Sequence, residues 1–126
     1  MQLLKAIPAG AIVAMLAAWP ANAQDMTGAE LHALLDGGKT IKLGGKGEGY
    51  SGTLNVKGDG KASGKAKTDD GSQLNISGTW TIKGDKFCRK WKALDGGKQV
   101  CETWKKNGPN SAEVFVGSKR AGLNSW

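Results

Sequence analysis

The residues whose side chains are best suited to binding or covalent chemistry lie in the segment from 87 to 104. Cys88 and Cys101 are the only cysteines in the chain, and two sulfurs at this spacing can form a disulfide. The same segment carries a cation, a carboxylate and two indoles: Arg89, Glu102, Trp91 and Trp104. Arginine binds anions or pairs with carboxylates, and indole rings attract cations and flat ligands. The segment can therefore hold a covalent bridge together with an ion pair or a ligand site.

A disulfide between Cys88 and Cys101 is the simplest expectation for this pair. An isolated pair that closes a short loop is typical of proteins folded in an oxidising compartment. A metal site would need further Cys or His nearby, and His32 is the only histidine in the chain. We therefore expect a disulfide, with no metal and no cofactor.

The disulfide would fix the pairing of one β-hairpin. If Cys88 faces Cys101, then Arg89 and Glu102 fall on diagonal positions of the opposite face, within reach of each other. Aromatic side chains dominate that face, which predicts that it is the core face. Its members are Phe87, Arg89, Trp91, Val100, Glu102 and Trp104.

Two interpretations of Arg89 and Glu102 follow. In the first, they form an internal ion pair that holds the hairpin in register, because an unpaired buried charge is very costly. In the second, they lie at the mouth of a cavity, where Arg89 binds an anionic group while Trp91 and Trp104 stack on a sugar or another flat ligand. The sequence leaves both open.

A second candidate feature is a lysine stripe. Lys61, Lys65 and Lys67 alternate with small residues, and alternation in a strand puts the lysines on the wet face. The stripe is suited to binding an anionic glycan or lipid headgroup, or serves only as a solubilising surface. The small residues on the other face leave room for a helix, for tryptophans or for a ligand.

The elements that position these residues begin with a helix. Thr27 and Glu30 form a capping box, in which each side chain satisfies a backbone amide of the other residue. An apolar stripe of leucines follows, and Gly37 and Gly38 end the helix in the left-handed conformation. Because so short a helix is unstable alone, we expect it to lie on a sheet.

The chain after Lys39 predicts antiparallel strands. Apolar and polar residues alternate strictly in 50–57 and 73–82, and Asp-Gly pairs separate the runs. We predict a mainly β fold in which the helix packs on a meander curled or closed into a small barrel. The strands, about eight in number, are expected near 40–43, 49–57, 61–68, 73–83, 86–93, 98–105, 111–117 and 120–126.

The N-terminal residues 1–23 predict a cleaved export signal. Lys5 precedes an apolar stretch, and Ala21-Asn22-Ala23 fits a cleavage site. The stretch is shorter than the roughly 20 residues of a membrane anchor, which is the alternative. We therefore expect residues 24–126 to form a single periplasmic or secreted domain cross-linked by the disulfide.

After the loss of Lys5 the net charge falls from +7 to +6, which favours anionic partners. Nucleic acid would be an unusual partner after export.

Catalytic patterns are weak. The lone histidine has no Ser or Cys close in sequence to activate, and the spacing of Glu48, Glu102 and Glu113 does not single out a pair for glycoside hydrolysis. We expect no enzymatic activity.

A resemblance supports the compartment and the fold. The Thr27-x-x-Glu30-Leu31 helix, the run Gly78-Thr79-Trp80 and the order Gly84-Asp85, Cys88, Trp91, Cys101 resemble small exported proteins of Gram-negative bacteria. Those proteins are grouped as domains of unknown function with a helix and a β-meander or barrel. The resemblance implies a periplasmic or secreted location and no particular activity.

The expected function is that of an exported, non-enzymatic protein that binds an anionic envelope component or a small ligand. The alternatives are a protein-binding module, such as an inhibitor or an accessory of an envelope complex, and an enzyme of unrecognised type. A cavity lined by Trp and Arg favours the first, and a solid core with an exposed apolar patch favours the second. Converging carboxylates in a cleft would favour the third.

Overall fold

The computed structural model describes residues 24–126, and the predicted export signal lies outside them. One α-helix, α1, spans Gly28–Leu35 and is preceded by a short strand, β1 (Gln24–Asp25), and a single 3-10 turn spans Asp95–Gly97. The remaining strands are β2 (Lys39–Gly44), β3 (Tyr50–Val56), β4 (Lys61–Thr68), β5 (Gln73–Lys83), β6 (Lys86–Trp91), β7 (Gln99–Gly108), β8 (Ser111–Val116) and β9 (Lys119–Ser125). In this part of the chain no helix is long and apolar enough to cross a membrane.

The strands close into a barrel. Each strand from β2 to β8 pairs antiparallel with the next, and β9 pairs back with β2. The prediction of a helix and a meander of about eight strands that forms a small barrel is confirmed. Strand β1 was not predicted. Gln24 and Asp25 pair with Lys106 and Lys105, in the part of β7 that extends past its pairing with β6.

The helix covers one end of this barrel, called here the helix end. The turns that precede β4 and β6 lie at this end, and the opposite end, called the open end, carries the β4–β5 and β6–β7 connections. Leu31 and Leu35 of α1 are fully buried. Since both leucines come from the helix stripe, the predicted packing of α1 on the sheet is confirmed.

Local contacts fix the helix in place. The Thr27–Glu30 capping box is present, with Glu30 N donating to Thr27 Oγ1 at 3.1 Å and Thr27 N donating to Glu30 Oε1 at 2.9 Å. Gly28 N also donates to Asp85 Oδ1 of the β5–β6 turn at 2.7 Å. Of the two glycines expected to end the helix in the left-handed region, only Gly38 adopts it, at φ +89°.

The small residues of β4 serve the curvature of the barrel. A Cβ on Gly64 would lie 2.0 Å from the carbonyl oxygen of Thr53, and one on Gly52 would lie 2.2 Å from that of Lys65. Glycine therefore lets the backbones of β3 and β4 approach closely where the sheet bends. Ala66, further along β4, lines the cavity of the barrel.

Candidate functional site: a cavity at the open end

The disulfide and its register are as expected. Cys88 and Cys101 are bonded and face each other across β6 and β7. Phe87 stands opposite Glu102 and Arg89 stands opposite Val100, which gives the diagonal placement of Arg89 and Glu102. The disulfide lies on the outward face of the sheet, although Cys88 is only 1% exposed.

A cavity of about 340 Å³ occupies the barrel interior toward the open end. Its floor is aromatic and is formed by Phe87 and Trp104, whose ring centroids lie 5.0 Å apart with the ring planes tilted by 42°. Trp126 stacks on Trp104 from the helix end. The wall is largely apolar, and among its residues are Leu43, Leu54, Ala66, Leu74, Ile76, Trp91 and Val114.

Arg89 and Glu102 form an ion pair on this wall. Arg89 Nε donates to Glu102 Oε2 at 2.5 Å, and the side chains are 14% and 10% exposed. The other carboxylate oxygen of Glu102 accepts from Trp104 Nε1 at 2.9 Å. Both oxygens of the carboxylate therefore have a partner, as a buried charge requires.

Arg89 has a second carboxylate partner that the sequence did not indicate. Asp95, in the 92–98 connection at the open end, accepts from Arg89 Nη1 at 2.9 Å. Burial lowers the pKa of Arg89, but Glu102 and Asp95 outweigh this effect and raise the pKa above its ordinary value. The guanidinium also lies 6.0 Å from the ring centroid of Trp91.

Asn124 is the least expected residue of the site. It is only 6% exposed and lines the cavity, with Leu43 and Ala112 as its neighbours across β2 and β8. Its side chain makes no hydrogen bond to any residue between 24 and 126. No protein group within these residues therefore competes with a molecule in the cavity for the donors and the acceptor of this amide.

The β2–β3 loop is held beside the opening by two contacts. Leu123 N donates to the hydroxyl of Tyr50, and a Cβ on Gly122 would lie 2.0 Å from that oxygen. Arg120 forms a forked pair with Glu48 at 2.9 and 3.1 Å. The hydrogen bonds and the charge of Arg120 lower the pKa of Glu48.

The Glu48–Arg120 pair predicts a pH dependence of stability. Because the pKa of Glu48 is lower in the folded state, its contribution is present above the unfolded pKa and is lost as pH falls through the folded pKa. We expect Arg120→Gln to lower the free energy of unfolding at neutral pH, with the gap to wild type closing in acid. Denaturant titrations at several pH values measure this gap. Lys119→Gln is the matched control, and a gap that persists unchanged at low pH would contradict the prediction.

The structure places the candidate residues in two regions. Arg89, Trp91, Glu102 and Trp104 all line the cavity, whereas Lys61 and Lys65 are exposed on the outer wall. Lys67 is exposed at the rim between the two regions. Sequence reasoning missed Tyr50 and Asn124. A strict alternation of apolar and polar residues would have put Leu123 inside and Asn124 outside, but the reverse is found beyond a register shift between β8 and β9.

No cluster of three His, Cys, Asp or Glu side chains within residues 24–126 is placed to hold a metal ion. Comparisons with protein families, with curated proteins and with solved structures find no match to this chain. The resemblance to small exported Gram-negative proteins therefore stays a prediction.

Proposed function

We propose that this protein binds one small, uncharged and mainly apolar molecule inside the barrel. The observation that carries the proposal is Asn124, a buried amide without a protein partner on the wall of an apolar cavity. A ligand with one donor or acceptor group would pair with this amide inside the cavity.

The size of the cavity supports this function. Barrels of eight strands are just wide enough to be filled by side chains or to hold one small ligand. A volume of about 340 Å³ falls in the range of small-molecule sites, which begins near 300 Å³. Phe87, Trp91 and Trp104 offer aromatic surface for a flat ligand.

The charges of the site favour an uncharged ligand over an anion. Arg89 already contacts two carboxylates, so it carries no excess positive charge toward the cavity. An anion placed beside it would also approach Glu102, and like charges at short range repel. In this proposal Arg89 has a structural role in the cavity wall and does not bind an anion. Any anionic partner would bind on the outer surface of the barrel.

The competing functions have less support. A docking module would present a broad apolar patch, yet Val116 is the only large hydrophobic residue exposed within residues 24–126. For an enzyme, Glu102 is the one carboxylate on the cavity wall, and its oxygens are engaged by Arg89 and Trp104.

The test uses N-phenyl-1-naphthylamine, a neutral aromatic amine whose fluorescence rises in apolar surroundings. We expect the purified protein to bind one molecule per chain. Ala66→Phe should reduce the affinity at least about tenfold, because the new ring fills space that the cavity now leaves open. Thr79→Phe is the matched control, since it adds the same ring to the exposed outer face of β5.

Asn124→Leu separates a binding role of the amide from a structural one. Because the change removes an unpaired buried amide, we expect the free energy of unfolding to stay equal or to rise by about 1 kcal/mol, while affinity for the amine falls. No binding of the amine, equal binding by the Ala66→Phe variant, or a large loss of stability on Asn124→Leu would contradict the proposal.

A further inference from the structure

Charges are segregated on this barrel. Of the 11 Asp and Glu residues, only Glu102 and Glu113 lie on the strands that form the barrel, and Glu102 points inward. The other acidic residues lie in β1, in α1 or in the connections at the two ends. The outward positions of β2 to β6 carry no carboxylate. This part of the wall is therefore purely basic.

Five exposed lysines define what we call the basic wall: Lys42, Lys61, Lys65, Lys67 and Lys90. None of their ammonium groups has an ion-pair or hydrogen-bond partner within residues 24–126. The lysine that pairs with a carboxylate, Lys105, lies on β7 outside this wall. Because no carboxylate neutralises them, these lysines can attract an anionic partner.

The strand register sets the spacing of these charges. Lys42 and Lys65 flank Thr53 in one row, and Lys61 and Lys90 flank Thr79 in another. Lysines two strands apart are separated by about 10 Å, with a hydroxyl between them. Charges thus alternate with uncharged hydrogen-bonding groups along each row.

The basic wall also carries a shallow groove. A groove crosses β3, β4 and β5 beside Lys65 and Lys67, where Gly52 and Gly64 bend the sheet. Its remaining polar lining consists of hydroxyl and amide side chains: Ser51, Thr53, Asn55, Ser63, Gln73 and Asn75. These groups can exchange hydrogen bonds with hydroxyls of a partner while the lysines attract its anionic groups.

We infer that the basic wall binds a strand of anionic polysaccharide of the polyuronate class. Carboxylates of the glycan would face the lysines, and its hydroxyls would face the groove. Charge complementarity with a grooved, polar surface favours a chain-like glycan over a bilayer. A membrane-binding face would need exposed apolar side chains to insert, and the outward positions of β2 to β6 carry none.

Alginate oligosaccharides, with neutral dextran as the reference, test this inference by calorimetry or surface binding. We expect alginate to bind, dextran not to bind, and the affinity to fall as salt rises, because exposed charges are screened within about 8 Å at physiological ionic strength. The triple change Lys61→Gln, Lys65→Gln and Lys67→Gln should weaken alginate binding at least about tenfold.

A second triple variant controls for net charge. Lys98→Gln, Lys106→Gln and Lys119→Gln remove the same charge outside the basic wall and should change the affinity much less. Equal losses in both variants, or no alginate binding by the wild type, would overturn the inference. So would binding to phosphatidylglycerol vesicles without binding to alginate. Asn124→Leu, which changes a cavity residue outside the groove, should keep alginate binding, so a failure here is distinct from a failure of the cavity proposal.

Discussion

Replacing Arg89 with methionine is expected to lower the free energy of unfolding by about 3–5 kcal/mol. Methionine keeps much of the aliphatic volume, so the loss measures the charge and not the packing. The variant leaves Glu102 as a carboxylate that is 10% exposed, with Trp104 Nε1 as its remaining donor. Urea or guanidinium unfolding at neutral pH measures the change.

The double variant Arg89→Met, Glu102→Gln should recover much of this loss. Glutamine removes the unpaired charge but keeps an oxygen that can accept from Trp104 Nε1, whose indole is fully buried. The double variant should therefore lose much less free energy of unfolding than the two single variants lose in sum.

Asp95→Asn is the matched control for this cycle. Asp95 is the other partner of Arg89, but its side chain is 45% exposed, so the loss should stay below about 1 kcal/mol. If Arg89→Met costs no more than Asp95→Asn, the pair does not hold the hairpin together. In that case the ligand-binding interpretation of Arg89 regains support over the structural one.

Removing the disulfide is expected to cost about 3 kcal/mol. The bridge spans a sequence separation of 13 residues, and a closed loop of this length restricts the unfolded chain by roughly that amount. The double variant Cys88→Ala, Cys101→Ala should unfold at a lower denaturant concentration, with a larger dependence on denaturant because its unfolded state is less compact.

A reducing agent supplies the control for this prediction. It should shift the wild type toward the midpoint of the double variant and leave the double variant unchanged. Equal midpoints for the wild type and the double variant under non-reducing conditions would contradict a stabilising disulfide. The residues that line the cavity face away from the bridge, so binding of N-phenyl-1-naphthylamine to the folded variant should be retained.

The pattern of the chain was sufficient to predict much of the fold. Alternation in β3 and β5 assigned inward and outward faces correctly, because one face of each strand must be buried and the other must meet water. The Thr27–Glu30 box located the start of the helix from local hydrogen bonding alone. The cysteine pair fixed the β6–β7 register, since a disulfide demands opposed positions.

Part of the candidate site was also predictable. Once Cys88 faces Cys101, the alternation of side chains puts Arg89, Trp91, Glu102 and Trp104 on the inner face of one hairpin. The second partner of Arg89 was not predictable in this way. Asp95 reaches the guanidinium through the shape of the 92–98 connection, and a loop conformation depends on contacts that no periodicity records.

The sequence by itself determined the alternation, the turns, the helix cap and the basic character of β4, because each depends on neighbours within a few positions. Tertiary structure alone decided the closure of β9 on β2, the cavity and the burial of Asn124. Closure joins segments about 80 positions apart, and the register shift that turns Asn124 inward arises between β8 and β9. Lysines from separate strands likewise form one basic wall only when the sheet brings those strands side by side.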